Sequence, residues 1–376
     1  MTQIIESQLN ANTIVMSFEN LKDPRRTNKG NLCYPLTEIV FLVISAVISG
    51  SNDWTSIEVF GKSQLEWLRK FFPYKNGIPS HDTLGTVFAV IDSQNFNDCF
   101  VKWINLVVDL SGDEIIAIDG KRLRGSYDTA SGKAAIHMVS AFAATNGICL
   151  GQVATDKKSN EITAIPKLLE LLDIKGCIIT IDAMGCQKKI AEEIRKKDAD
   201  YLFGVKGNQE ELSEQVQKMF SIEKGVTDQI TDCGHGRVET RKCTVIDNLT
   251  FMDCKEEWKD LRSVIKIEAE RFDKLSGIKS NETRYYISSL KSTPERFNQI
   301  VRKHWSIENN LHWVLDVTFN EDKSRKRKDN SALNFNIITK IAMSMIKEDT
   351  DKKTSMVKKR YKAALDQKYR EIILKV

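Results

Sequence analysis

The chain lacks a long hydrophobic run. Its greasiest stretch, Ile39 to Ile48 within PLTEIVFLVISAVISG, is well short of the ~20 residues a bilayer-spanning helix needs and follows Glu38, so it reads as a buried core helix. The opening MTQIIESQLNANTIVMSF carries an acid where a secretory signal carries a basic region, and no small-residue cleavage site follows an apolar run. The expectation is a cytoplasmic protein without a membrane partner. Eight cysteines (Cys33, Cys99, Cys149, Cys177, Cys186, Cys233, Cys243, Cys254) include no C-x-x-C pair, which excludes a zinc ribbon and a dithiol redox motif and fits a reducing compartment. H-E-x-x-H is also absent, which removes the helical zinc hydrolases. No small-molecule organic cofactor is expected.

What is present is a folded composition, 41% hydrophobic and 28% charged over 376 residues, enough for two or three domains. The net charge of +5 is unevenly spread: residues 321–376 hold 16 Lys/Arg against 8 Asp/Glu, a local +8 that leaves −3 on the preceding 320. A basic end points to a polyanionic partner or to a solvated helical face.

Residues 1–112 read as a helical N-terminal domain, with helical spacing in Glu38 to Ser49, Trp54 to Phe72 and Phe96 to Leu110, and a Ser/Asp helix start in GIPSHDT. From Glu114 the period changes. EIIAIDG, HMVSAFAA and GICLGQVAT are strands, the last two joined by an Asn146-Gly147 hairpin signal. AIPKLLELLDI is helical, GCIITIDA a strand, QKKIAEEIRKKDA an amphipathic helix and DYLFGVKGN a strand. The order β-β-β-α-β-α-β over residues 113–209 predicts an α/β fold, a ribonuclease-H-like mixed sheet flanked by helices. Residues 210–295 interrupt it: after a polar helix, GRVETRKCTVI, RSVIKIEAERF and TRYYISSL form a β-rich insertion. Helical pattern returns over 296–346, and 347–376 is a basic helical tail.

Asp119 ends the first strand and Asp182 the fourth, its expected neighbour, so two acids converge at the sheet edge where ligand crevices form. Paired carboxylates grip hard cations such as Mg2+, with waters and substrate phosphates completing the shell. An Asp before Gly is also an ordinary turn residue, so the pair gains weight from a third acid, Glu308, with Asp316 and Glu321 as neighbours. Around Glu308 the helix crowds Arg302, Asn309, His312 and Trp313. His304, Glu308 and His312, four apart, fall along one face, so a His-x3-Glu-x3-His metal site is a rival, and a buried helix with satisfied polar groups is the plainer reading. Trp305 and Trp313 read as core, with stacking on a flipped base as the alternative.

These strings resemble the H-repeat-associated transposases of bacterial insertion sequences, members of the DDE superfamily, nearly end to end. The resemblance is carried by YPLTEIVFLVISAVISG, GIPSHDT, IDGKRLRGSYD, KSNEITAIPKLL, TIDAMGCQ, FGVKGNQ, HGRVETR and HWSIENNLHWVLDVTFNED. It implies a DNA transposase with a ribonuclease-H-like catalytic core interrupted before its last acid. Asp119, Asp182 and Glu308 are then the catalytic metal ligands for two Mg2+ ions (Mn2+ as substitute), double-stranded DNA is the partner, and a nucleoid-associated homodimer joins two element ends. Related transposases place Tyr, Arg and Lys around the last Glu; here those positions are Val301, His304 and Leu315. The expected DNA contacts are Lys121, Arg122, Arg124, Lys206, Asn208, Gln209, Arg237, Arg241, Arg302, His304, Arg325 and Arg327. A DNA-binding regulator without catalysis and a nuclease without strand transfer are the competing functions.

Overall fold

A computed structural model describes residues 11–25, 32–108, 110, 112–127, 132, 134–155, 161–234, 236–349, 351 and 353–376. Of the strings quoted above, Asp128, residues 158–160 and His235 lie outside the described residues, as do the first ten positions.

The N-terminal segment is helical: α1 (Ala11–Phe18), α2 (Leu36–Ile48), α3 (Trp54–Ser63), α4 (Leu65–Leu68), α5 (His81–Val90) and α6 (Ser93–Val107). Helix α2 is apolar on every side and almost wholly buried, as a helix surrounded by others must be. Side-chain caps start its neighbours. Asp53 accepts the Ser56 N–H at α3, Ser80 the Thr83 N–H at α5, and Asp92 the Asn95 N–H at α6. The single helix expected over Trp54 to Phe72 is broken at Gln64, between α3 and α4.

The sheet follows: β1 (Ile115–Arg122), β2 (His137–Ala143), β3 (Ile148–Thr155), α7 (Glu161–Glu170), β4 (Ile178–Ile181), α8 (Lys188–Lys196), β5 (Asp200–Val205), α9 (Glu210–Ile222), β6 (Val226–Gly234), β7 (Arg237–Ile246), β8 (Ser263–Asp273) and β9 (Lys279–Ser288). The strand order is β3-β2-β1-β4-β5-β9-β8-β7-β6. Strands β1, β4 and β5 are parallel and β1-β2-β3 an antiparallel meander, the mixed sheet of a ribonuclease-H-like core. The inserted strands continue this sheet, because β9 pairs antiparallel with β5 from Val205↔Tyr285 to Leu202↔Ser288. Strand β6 has no counterpart in the sequence reading. VTDQITDCG is the outer edge strand, exposed or half-buried throughout, so no apolar alternation marks it.

Helix α10 (Pro294–His304) lies on β1, β4 and β7; a π turn (Glu308–His312), α11 (Trp313–Thr318), α12 (Ser331–Lys347), α13 (Met356–Leu365) and α14 (Gln367–Leu374) complete the chain. Helix α12 packs against α2, α5, α6 and β3, so the N-terminal helices and the sheet share one continuous core.

The basic end is less available than its charge suggests. Arg360, 4% exposed, donates to the carbonyls of Val47, Ser51 and Thr318 and to Asn52. Arg370 donates to Ala363 O and Gln64, and Lys340 to Ser140 and Gln152. These cations hold buried backbone and amide oxygens rather than facing a polyanion.

Candidate active site

In the parallel pairing of β1 and β4, Ile118 stands opposite Ile181. The next residues, Asp119 and Asp182, are therefore level and directed to the same face. Asp182 directly follows β4, whereas β1 continues past Asp119 to Arg122 because it goes on pairing with β2, so Asp119 lies within its strand and does not end it as the sequence suggested. Backbone donors orient both. Asp119 Oδ1 accepts the Gly120 N–H at 2.9 Å; Asp182 Oδ1 accepts the Met184 N–H at 3.0 Å and the Gly185 N–H at 3.4 Å, capping the 3-10 turn Ala183–Gly185.

Glu308 is delivered from the helix side. His304, the last residue of α10, is 9% exposed and its Nδ1 lies 3.0 Å from Thr180 Oγ1. Thr180 is two residues before Asp182, on the same face of β4, so the helix end is pinned beside the strand carrying the second aspartate. The chain then widens into the π turn, a distortion frequent at functional sites. His312 Nδ1 is 3.5 Å from Asp119 Oδ2, and the charge of the exposed Glu308 acts on the Asp119 carboxyl. The turn changes the helical phase, so His304, Glu308 and His312 do not gather as a His-x3-Glu-x3-His site.

Burial pushes the Asp119 carboxyl up to about 7 against the pull of the Gly120 N–H, and the charges of Asp182, Glu161 and Glu308 add to the push. Asp182 is raised by burial and then by Glu161, while the Gly185 and Met184 N–H groups and Lys206 oppose the rise. Burial, followed by the charges of Lys340, Lys121 and His137, lowers His312 to about 3, and its Nε2 is buried without a hydrogen-bond partner. Burial lowers His304 to about 4.

Glu161 and His137 were not among the expected site residues. Glu161 Oε1 is 2.6 Å from His137 Nε2, and the pair closes over Gly120, where a β-carbon would come within 3 Å of both side chains. A side chain at position 120 would make the ends of Glu161 and His137 shift. Topology was the available signal: β2 is antiparallel to β1 and β3 to β2, so the start of β2 and the helix leaving β3 reach the edge that carries Asp119.

The expected DNA contacts divide by placement. Arg122, Arg124, Lys206 and Arg325 are exposed. Arg237 is exposed beside Asp273, and Arg302 is exposed but paired with Asp232. Lys121 is half-buried and ion-paired with Asp316, Glu321 and Asp322. Arg241 is mostly buried against Asp232 and Glu239, and Arg327 packs on Tyr127 and donates to Gly125 O. Asn208 donates to Ala183 O and Gln209 to Cys186 O, which fastens the loop after Asp182. His304 faces inward. Trp305 is half-buried with Arg284 over its ring, whereas Trp313, read as core, is 59% exposed.

A family model described as transposase DDE domain matches residues 110–345, and a DDE-transposase-associated model matches residues 15–104. The chain belongs to the DDE transposase family. It is 44% identical over 374 residues to YncI of Escherichia coli O157:H7, covering 96% of this chain and 95% of that protein. The H repeat-associated YhhI of Escherichia coli strain K12 is 42% identical over 351 residues, covering 91% and 92%. Both carry the word transposase in their names. Among solved structures, a piggyBac transposase synaptic complex with hairpin DNA aligns over 99% of this chain and 77% of that one, at 12% identity and a TM-score of 0.47.

The donor set of this DDE transposase suits a hard divalent cation. Carboxylate oxygens dominate, one oxygen of each aspartate is held by backbone N–H groups, and a buried imidazole nitrogen lacks a partner beside them. Among the described residues no three His, Cys, Asp or Glu side chains are grouped so that they could hold a metal ion. A divalent cation at this edge would take most of its ligands from water and phosphate, as Mg2+ commonly does.

Proposed function

We propose that this DDE transposase cuts and joins DNA at the ends of an insertion sequence, with Asp119, Asp182 and Glu308 as its catalytic carboxylates. One observation carries the reading: two aspartates stand level on adjacent parallel strands, and the helix end that precedes Glu308 is bonded to the same strand through His304 and Thr180, with the Glu308 charge acting on Asp119.

The three acids would hold two divalent cations, Mg2+ in the cell and Mn2+ as a substitute, which supply Lewis-acid polarisation of the scissile phosphate and lower the pKa of bound water. Met184, Gly185 and Gly120 fix the aspartate carboxylates before substrate arrives. Arg122, Arg124 and Lys206 surround the edge with positive charge for the phosphodiester backbone, and Arg237, Arg302 and Arg325 extend it over the insertion and the loop before α12. Hydrolysis at the element end leaves a 3′-hydroxyl; attack by that hydroxyl on a target phosphodiester joins the strands and releases the target's own 3′-hydroxyl. Two ends require two such sites, which favours a homodimer on double-stranded DNA.

The test uses the full chain, Mg2+ and duplex DNA carrying the terminal sequences that flank the coding region. Asp119→Asn, Asp182→Asn and Glu308→Gln are expected to bind this DNA and give neither nicks nor joined products. A variant that still nicks removes its residue from the site. Nicks without joined products from the unaltered chain identify a nuclease, and binding without nicks identifies a regulator.

A further inference from the structure

Between α10 and the strands β4, β5 and β9 lies a cavity of about 190 Å3 that the proposed chemistry does not use. Asp182 and Lys206 are part of its lining, and Arg284, Tyr285, Tyr286 and Trp305 make the rest of it cationic and aromatic. It is smaller than the ~300 Å3 at which sites for drug-sized molecules begin, and suits a single planar ring system. A second cavity of about 40 Å3 adjoins it and shares Arg284, Tyr286, Val301 and Trp305. Asn298, Val301 and Trp305 are spaced three and four apart, so the cleft follows one face of α10. Part of the lining is already a stack: the Arg284 guanidinium lies 4.4 Å over the Trp305 ring and is held by Glu282 at 2.7 and 3.0 Å.

The smaller cavity carries donors with nothing to bond. Asn298 is 3% exposed, and its Nδ2 has no hydrogen-bond partner among the described residues; Arg241 Nε, beside the same cavity, also lacks one. Buried donors are ordinarily satisfied, because an unmet one carries its full desolvation cost. Unmet donors along an aromatic cleft point to a flat guest that brings acceptors.

We propose that this cleft is a nucleobase site: one base adjoining the cut phosphate turns out of the duplex, stacks against Arg284 and Trp305, and offers its carbonyl or ring-nitrogen acceptors to Asn298. The inference rests on the reading of Asp182 as a residue of the cutting centre and deepens it, because a cavity lined by Asp182 takes the base of a nucleotide whose phosphate lies at that centre. Leaving the duplex costs the base its stacking and pairing, and stacking on aromatic and guanidinium planes offsets part of that cost.

The test measures the affinity of the full chain for duplex DNA carrying the element's terminal sequence, by fluorescence anisotropy without divalent cations. Each nucleotide flanking the cut phosphate is replaced in turn by an abasic one, and the unaltered chain is compared with Trp305→Ala and Asn298→Leu. On the intact duplex Trp305→Ala is expected to bind about fivefold or more weakly. On the duplex abasic at the extruded position the two proteins should bind alike, whereas an abasic nucleotide in the duplex interior should leave the deficit in place. Asn298→Leu removes a donor that nothing in the free chain satisfies, so its urea midpoint should equal or exceed that of the unaltered chain while its affinity for the intact duplex falls about threefold or more. It carries the same abasic comparison if Trp305→Ala fails to fold. Deficits that persist on every abasic duplex, or affinities that neither substitution moves, overturn the base site and leave the reading of the three acids standing. Failure of the unaltered chain to prefer the terminal sequence over unrelated duplex overturns both.

Discussion

Acidification tests the imidazole that seats α10. His304 is buried, and burial lowers it to about 4 from 6.5. The unfolded chain therefore takes up a proton more readily than the folded one, and the stability that depends on neutral His304 is complete above pH ~6.5 and lost as pH falls toward 4. The whole shift corresponds to about 3 kcal/mol, and about 2 kcal/mol of it is lost by pH 5. The comparison that isolates this residue is His304→Leu. It removes the titration while leaving the Thr180 hydroxyl the Ile116 carbonyl as a partner at 3.4 Å. Urea unfolding of both proteins at pH 7.5 and pH 5 should show the unaltered chain losing about 2 kcal/mol more than the variant over that interval. The depressed His312 is present in both and cancels. Parallel losses would show that His304 does not carry the pH dependence. Because His304 fixes the helix end before Glu308, acid should also reduce DNA cleavage before the chain unfolds.

Other perturbations probe different parts of the structure. Arg360→Met leaves the Val47 and Thr318 carbonyls short of a buried donor and should cost about 2 to 4 kcal/mol in urea unfolding. Gly120→Ala forces a β-carbon against Glu161 and His137; a loss of about 1 to 3 kcal/mol and of cleavage is expected, the first from urea midpoints and the second from nicking assays. Arg124→Ala should reduce the salt slope of DNA binding by roughly 1. Asn208→Ala, which removes a bond to Ala183 O, should leave that slope unchanged and slow cleavage.

The level placement of the two aspartates was legible because apolar runs are local signals. One run leads up to Asp119 and another up to Asp182, and parallel neighbours bring them level; that β1 continues to Arg122 was not legible, because that extension is made by pairing with β2. Glu161 was not legible, because its relation to Asp119 is made by the direction of β3 and by His137, which is 24 positions away. Strand β6 escaped for want of an apolar face. The basic end misled for a different reason. Charge counting cannot distinguish an exposed arginine from Arg360, whose guanidinium is surrounded by carbonyls contributed by distant helices. His304 likewise reads as one of a series spaced four apart until the π turn breaks the series and leaves it facing Thr180.

The pairing of β5 with β9 has a consequence for synthesis. Strand β5 is complete at Val205, yet its outer neighbour ends only at Ser288, about 80 positions later. At ribosomal rates of roughly 5 to 20 residues per second, that edge waits about 4 to 16 s with its backbone donors and acceptors unpaired. During the wait the buried sequence DYLFGV is an open template for any other extended chain. A product ending between β5 and β9 keeps that edge permanently, so truncation there should send the protein into aggregates rather than yield a smaller folded core.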